Sequence, residues 1–116
     1  MNKLMVLQVS EDMLSELYDI IGQYHKAEKY SLGEDTKREF IKMYRNLISA
    51  SKKKAKLVEL RRADVQLAIV KRLIRIGYEK RFMTIKRYES MSKYITNIGN
   101  MIGGWINQQK TSSISK

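Results

Sequence analysis

The chain of 116 residues contains no cysteine and no proline, and it has six glycines, one tryptophan and one histidine. Without cysteine, a disulfide framework and a thiolate metal site are both excluded, which fits a reducing compartment. The shortage of proline and glycine removes the residues that most often interrupt long helices.

A long hydrophobic run is also missing. The longest uncharged stretch, residues 94–109, contains Asn, Thr and Gln and falls short of a bilayer span. The opening MNKLMVLQVSED has one lysine and too few apolar residues before its acids to form the core of a signal peptide. We therefore expect a cytoplasmic protein with no membrane segment.

Residues that carry catalysis or bind metals are scarce. The single histidine, His25, is expected at the end of the first helix, where a lone histidine is most often a loop or capping residue. The adjacent carboxylates Glu34 and Asp35 are better explained by the preference for acids in the first turn of a helix than by an acid–base pair. A glycine-rich phosphate loop needs a preceding strand, and the sequence has no strand pattern. The sequence therefore predicts no catalytic residue, no metal and no cofactor.

Positive charge is abundant and unevenly placed. The formal net charge is +11, and residues 52–87 hold 13 basic and three acidic residues, a balance of +10. The first 51 residues hold seven bases and eight acids, so they are close to neutral. A field concentrated in one segment attracts polyanions.

Apolar residues recur at helical spacing in four segments. In the first, positions 4, 7, 14, 17, 21 and 24 share one face, which predicts a helix from about Lys3 to His25. The second begins at SLGE, where Ser31 and Glu34 fit a capping box ahead of an apolar stripe that starts at Phe40.

The third and fourth helices follow the lysine-rich stretch SKKKAK. The third has an apolar face opposite an arginine stripe made of Arg61, Arg72 and Arg75. The fourth starts near Thr84, which fits an N-cap, and keeps a 3-4-3-4-3 apolar spacing through Trp105.

Four helical segments with short links and no strand pattern predict an all-α protein. The expected architecture is an antiparallel up-down-up-down four-helix bundle. We expect a single domain over residues 1–109 and a disordered tail over residues 110–116, where no apolar pattern is present.

The basic segment is the strongest functional signal. Arginine forms forked bonds to phosphate that lysine does not match, so the stripe favours a polyanion partner, and nucleic acid is the commonest one. The candidate site residues are listed here: Arg72, Arg75, Arg61, Arg62, Lys52, Lys53 and Lys54. The alternative is a solvated face that serves solubility. No motif for reading bases is present.

The stretch IGNMIGGW, residues 98–105, places three glycines inside a helical pattern. Gly99 and Gly103 share one face and would allow a neighbouring helix to approach closely, whereas Gly103 and Gly104 would also serve to end the helix. Local physical chemistry leaves both interpretations open.

Three stretches in order carry a family resemblance: YHKAEKYSLG, LIRIGYEK and YITNIGNMIGGW. Together they resemble the accessory variability determinant (Avd) proteins of diversity-generating retroelements. These belong to a group of four-helix bundles that includes proteins encoded by intervening sequences in large-subunit ribosomal RNA genes. The closing stretch is the most specific part, and the resemblance implies that Gly99, Gly103, Gly104 and Trp105 form a family packing motif.

The resemblance implies a non-catalytic partner of a reverse transcriptase. Avd proteins form basic pentameric barrels and bind nucleic acid without marked sequence preference. Their complex with the polymerase copies a template RNA into mutagenised cDNA that replaces part of a target gene (mutagenic retrohoming). Arg72 and Arg75 match basic positions of the family on the third helix, so they are the first candidates for contact with nucleic acid or polymerase.

The chain departs from this group in two places. Tyr24 and His25 stand where the family usually has Phe-Pro, so the first link is expected to differ in shape. The second helix, FIKMYRNLISASKK, lacks the pattern of the ribosomal branch, which favours the retroelement branch. The alternatives are an RNA-associated protein of the ribosomal branch and a structural, protein-binding bundle.

Overall fold

The computed structural model describes residues 3–114 of the chain, and side chains over residues 5–111. Four long helices carry the fold: α1 (Lys3–Gly22), α3 (Glu34–Lys52), α4 (Leu57–Glu79) and α5 (Ile85–Ile114). A short helix, α2 (Lys26–Glu28), and a π-helical turn (Lys29–Gly33) connect α1 to α3.

The long helices surround one core. α1 packs against α3 and α5, and α4 packs against the same two helices, so α1 and α4 occupy diagonally opposite corners. The bundle is elongated, with extents of 52 × 23 × 20 Å. This arrangement confirms the predicted all-α fold of four antiparallel helices.

The predicted apolar face of α1 is only partly correct. Leu7 and Leu14 are half-buried, and three residues beside that face, Val6, Met13 and Ile20, are buried instead.

The core draws on all four long helices. Fully buried side chains come from every long helix and include Leu17 of α1, Phe40 of α3, Ile74 of α4 and Ile98 of α5. Burial of such a side chain contributes about 1.5–3 kcal/mol relative to leaving it in water. Trp105 is 3% exposed and closes one end of the core. Within residues 3–114, no helix is long and apolar enough to cross a membrane.

The connection between α1 and α3 differs from the prediction. α1 ends at Gly22 rather than His25, because the N–H groups of Gln23 and Tyr24 turn back to the carbonyls of Ile20 and Ile21 at 3.0 Å. The chain then leaves the helix direction before α2 begins.

The predicted capping box at Ser31 and Glu34 is wrong. An N-cap residue needs extended backbone, but the chain is helical from Lys26 through Lys52, so α3 continues a preceding turn. Ser31 Oγ instead donates to the carbonyl oxygen of Ala27 at 3.1 Å and to a carboxylate oxygen of Glu28 at 3.2 Å.

The turn between α4 and α5 has well-defined caps. Arg81 adopts a φ of 65°, and the N–H of Phe82 donates to the carbonyl of Gly77 at 2.9 Å, which closes α4 as a Schellman motif does. Thr84 is the predicted N-cap of α5: its Oγ1 accepts from the N–H of Arg87 at 3.2 Å.

Helix α5 continues through the glycines of IGNMIGGW and reaches Ile114. Residues 110–114, predicted to belong to a disordered tail, are helical instead, and Thr111 Oγ1 donates to the carbonyl oxygen of Asn107 at 3.0 Å. Ser115 and Lys116 lie outside the described residues. The predicted domain boundary at residue 109 stays a prediction.

Candidate nucleic-acid interface

The seven basic candidates are all exposed. Arg61, Arg62, Arg72 and Arg75 are exposed on α4, and Lys52, Lys53 and Lys54 are exposed where α3 ends and the link to α4 begins. At 1.5 Å per residue, Arg61 and Arg72 are about 16 Å apart along the helix axis. The candidates thus form an extended strip rather than one compact pocket.

Two of the candidates are paired with carboxylates. Arg75 Nε donates to Glu79 Oε1 at 2.8 Å, and Lys53 Nζ donates to Glu59 Oε2 at 2.8 Å. The Arg75 pair is exposed on both sides, so solvent screens it and it holds the arginine weakly.

The remaining strip residues keep their charge available. Within residues 5–111, where the side chains are described, the other five make no ion pair: Arg61, Arg62, Arg72, Lys52 and Lys54. An unpaired cation binds phosphate without first breaking an internal contact. Arg72 is therefore the stronger of the two residues that the resemblance selects.

The outer surface of α3 also carries positive charge. Three of its basic residues are each held by an acid one turn earlier, at 3.3, 2.9 and 3.6 Å: Lys37 by Glu34, Arg38 by Asp35 and Lys42 by Glu39. Arg45 is exposed on the same helix and makes no ion pair within residues 5–111. Unpaired arginine therefore lies on α3 as well as on α4.

Glu59 is nearly buried at the start of α4. The hydrogen bond from Lys53 lowers the pKa of its carboxyl group, helped by the Glu59 backbone N–H and by the charges of Lys53 and Arg62. Lys53 therefore has a structural role in the α3–α4 link in addition to its predicted place in the basic strip.

Lys56 has a role that the sequence did not reveal. Its Nζ donates to the carbonyl oxygen of Ala50 at 3.1 Å and lies 5.6 Å from the ring centroid of Trp105. The lysine thus joins the end of α3 to α5 through a hydrogen bond and a cation–π contact. Charge alone gave no signal for this, because Lys56 is one of four lysines in SKKKAK.

The glycines of α5 have room around them inside one chain. A Cβ at Gly99 would meet Leu67 Cδ2 at 3.5 Å, an ordinary contact, and a Cβ at Gly103 would meet nothing within 4 Å. Gly104 is exposed. Contacts within the chain therefore do not require glycine at position 99 or 103, and the packing role of the motif around Trp105 stays a prediction.

Stacking on a nucleic-acid base needs an aromatic ring that is open to solvent, and three tyrosines outside the fully buried core differ in this respect. Tyr30 is widely exposed, whereas Tyr78 stacks on Tyr88 with ring centroids 4.4 Å apart and an interplanar angle of 5°. Tyr94 is half-buried against the core. Of the three, Tyr30 alone offers an open ring face.

These features define a small basic four-helix bundle with exposed arginines along α4. Comparison with known families then identifies its relatives: the bAvd-like family matches residues 4–109, and the chain belongs to this family of bacterial Avd proteins of diversity-generating retroelements. The family consists of non-catalytic accessory proteins, and membership implies an accessory role in such a retroelement. No curated protein matches the chain.

Proposed function

We propose that this protein binds the reverse transcriptase of its retroelement together with template RNA or cDNA, and so supports mutagenic retrohoming. The observation that carries the proposal is the exposed positive charge along α4, where Arg61 and Arg72 make no ion pair within residues 5–111, combined with membership in the bAvd-like family. The protein holds nucleic acid beside the polymerase, and the polymerase supplies the chemistry.

The proposed contact is electrostatic. Arg72 and Arg75 bind phosphate oxygens, with Arg61, Arg62 and Lys52–Lys54 extending the strip, and each contact releases counterions from the nucleic acid. Such contacts carry no sequence information, which suits a protein that accompanies a polymerase along its template. We also propose that five copies assemble into a barrel, which follows from the family resemblance.

The direct test reverses the charge of the two leading residues. We expect the R72E/R75E variant to lose most of its affinity for a short RNA–DNA hybrid, measured by fluorescence anisotropy at low salt, while circular dichroism shows unchanged helix content. The matched control is R38E/K42E on α3, which changes the net charge by the same amount. Equal losses in both variants, or unchanged binding in R72E/R75E, would contradict the assignment to α4.

The same two variants also test whether the protein binds the reverse transcriptase. The tagged reverse transcriptase of the same retroelement should retain the wild-type protein and R38E/K42E but not R72E/R75E. The ribosomal intervening-sequence alternative predicts no retention of any of the three. A bundle whose charge serves solubility alone predicts no nucleic-acid binding near 150 mM salt, since its charges would have no partner.

A further inference from the structure

A cavity of about 320 Å³ opens at the end of the bundle where α1 stops and α4 turns into α5. Its volume falls within the range of pockets that hold small molecules. None of the described residues that line it is acidic, and none belongs to the basic strip of α4. The cavity is therefore a separate candidate for binding a negatively charged ligand.

Apolar side chains form the floor of this cavity. Ile20 and Met83 belong to the core, and the half-buried ring of Phe82 lies 5.3 Å from that of Tyr24, centroid to centroid. Because the core holds these side chains, the floor exists before a ligand binds. An apolar floor with an aromatic ring suits a flat group such as a nucleobase, which gains from burial and from stacking.

Two arginines lie at the rim of the cavity. Arg81 is exposed, and its side chain makes no ion pair within residues 5–111. Arg87 Nη1 lies 3.8 Å from Glu16 Oε1, a long pair that solvent screens because both side chains are partly exposed. That carboxylate also has another partner, since Ser90 Oγ donates to Glu16 Oε2 at 2.9 Å. Both guanidinium groups can thus bind a ligand without breaking a strong internal contact.

Two uncharged polar side chains complete the rim. Gln23 is exposed just after α1, and its amide both donates and accepts hydrogen bonds. Thr84 Oγ1 accepts from the N–H of Arg87 at 3.2 Å, which leaves the hydroxyl proton to be donated. The ligand that fits this lining has a strongly negative group joined to a flat group with polar edges.

The backbone of Arg81 is an independent indication of function. Its φ of 65° lies in the left-handed region, which glycine adopts freely and which strains a residue with a Cβ. The position follows the C-cap residue Lys80, where helices most often place glycine. An arginine here gives up backbone stability, as is typical of a residue whose side chain is used for binding.

The charge of the rim selects among anions. A phosphate monoester carries about −1.5 to −2 charges at neutral pH, whereas a carboxylate or a phosphodiester inside a strand carries a single charge. Two guanidinium groups match the monoester, and each forms forked bonds to phosphate oxygens. The lining therefore favours a terminal phosphate over a carboxylate or an internal phosphate.

We propose that this cavity binds a nucleoside 5′-monophosphate, either as a free nucleotide or as the phosphorylated 5′ end of a strand. The phosphate group binds Arg81 and Arg87, and the base lies against the apolar floor. Gln23 bonds to a polar edge of the base or to the sugar. The inference goes beyond the proposed function and does not depend on it, because the cavity and the α4 strip have no residue in common.

Isothermal titration with AMP and with adenosine tests the site. We expect the wild-type protein to bind AMP, and Arg81→Gly to bind it about tenfold more weakly or worse, as loss of one hydrogen bond to a charged group predicts. The Tm of Arg81→Gly should be equal or higher, because glycine relieves the strained backbone. Arg87→Gln should show a similar loss of affinity. The matched control is Lys86→Gln, which removes one exposed charge beside the cavity and should bind AMP as the wild type does.

The proposal is overturned if AMP does not bind the wild-type protein or if Arg81→Gly keeps the wild-type affinity. It is also overturned if adenosine or a short polyaspartate peptide binds as tightly as AMP, since either result would remove the role of the phosphate monoester.

The two sources of the ligand are separated in the R72E/R75E background, in which the α4 strip is disabled. Tighter binding of a short 5′-phosphorylated DNA strand than of its 5′-hydroxyl counterpart, lost again in Arg81→Gly, identifies a strand end. Equal binding of the two strands, with AMP still bound, identifies a free nucleotide. A wrong assignment of the α4 strip would leave AMP binding unchanged, so the two proposals fail separately.

Discussion

Tyr24 lies in a slot that Gly77 leaves open on α4. A Cβ at Gly77 would lie 2.5 Å from the Tyr24 hydroxyl oxygen and 3.3 Å from Met83 Cε. The tyrosine ring is 5.3 Å from that of Phe82, centroid to centroid. Among the described residues the hydroxyl has no hydrogen-bond partner, and burial raises the pKa of Tyr24 to about 12. The side chain fills the slot well but leaves a polar group unsatisfied.

We expect Gly77→Ala to lower the free energy of unfolding by about 1–3 kcal/mol, because the added methyl group overpacks the slot. Tyr24→Phe should be neutral or stabilising by up to about 1 kcal/mol, since it removes an unpaired hydroxyl. The two sites are in contact, so Gly77→Ala should be less harmful in the Tyr24→Phe background. Urea denaturation of the four proteins measures this coupling, and simple addition of the two effects would contradict the contact.

At the scale of the helices, the link between α3 and α4 is held by two lysines. Lys53 bonds to Glu59 at the start of α4, and Lys56 bonds to the last turn of α3 while covering Trp105. The carbonyl oxygen of Ala50 at the end of α3 thus accepts from Lys56 as well as from the backbone N–H of Lys53 at 3.4 Å. The link therefore serves packing as well as charge.

The lowered pKa of Glu59 makes part of the stability depend on pH. A carboxyl group whose folded-state pKa lies below its ordinary value of 4.5 stabilises the folded protein above that value, and this stabilisation disappears as the pH falls through the lowered pKa. We expect Glu59→Gln to lower the Tm at pH 7 and to match the wild type in strong acid. The control is Glu79→Gln, which removes an exposed pair and should change the Tm little. A Tm difference for Glu59→Gln that persisted unchanged into strong acid would rule out the ion pair as its source.

At the scale of the whole molecule, charge is separated between opposite corners of the bundle. The acids of α1 lie diagonally across from the arginines of α4. A polyanion that approaches the α4 side therefore meets the arginines and stays away from the carboxylates of α1.

We expect two unrelated single-stranded RNAs of equal length to bind the wild-type protein with similar affinity, since phosphate contacts carry no sequence information. The logarithm of the binding constant should fall linearly with the logarithm of the salt concentration, with a slope of about 0.7 per phosphate contacted. Loss of two contacts in R72E/R75E should therefore reduce the slope by about 1.4. An unchanged slope would show that these arginines do not contact the backbone, and a strong preference for one RNA would point to base contacts.

Much of the fold could be predicted from the periodicity of apolar residues. Positions such as Leu17, Phe40, Ile74 and Ile98 recur on one face of their helices, and burial of those faces leaves few arrangements other than a bundle. Local chemistry also located Thr84, because an N-cap depends on a few neighbouring residues. The cap at Ser31 was mispredicted, because an earlier helical turn supplies the same backbone bonds and no sequence pattern marks that turn.

The sequence by itself determined the helical class, the apolar faces of α4 and α5 and the concentration of positive charge in one segment, since each depends on composition or on spacing along the chain. Only the tertiary structure decided which charged residues have partners. Lys53 and Lys56 find theirs because the turn between α3 and α4 brings those groups together. The tertiary structure also decided that the α1 acids and the α4 arginines lie at opposite corners, and that Tyr24 meets Gly77. Those relations join residues far apart in the chain, so the packing of the helices alone establishes them.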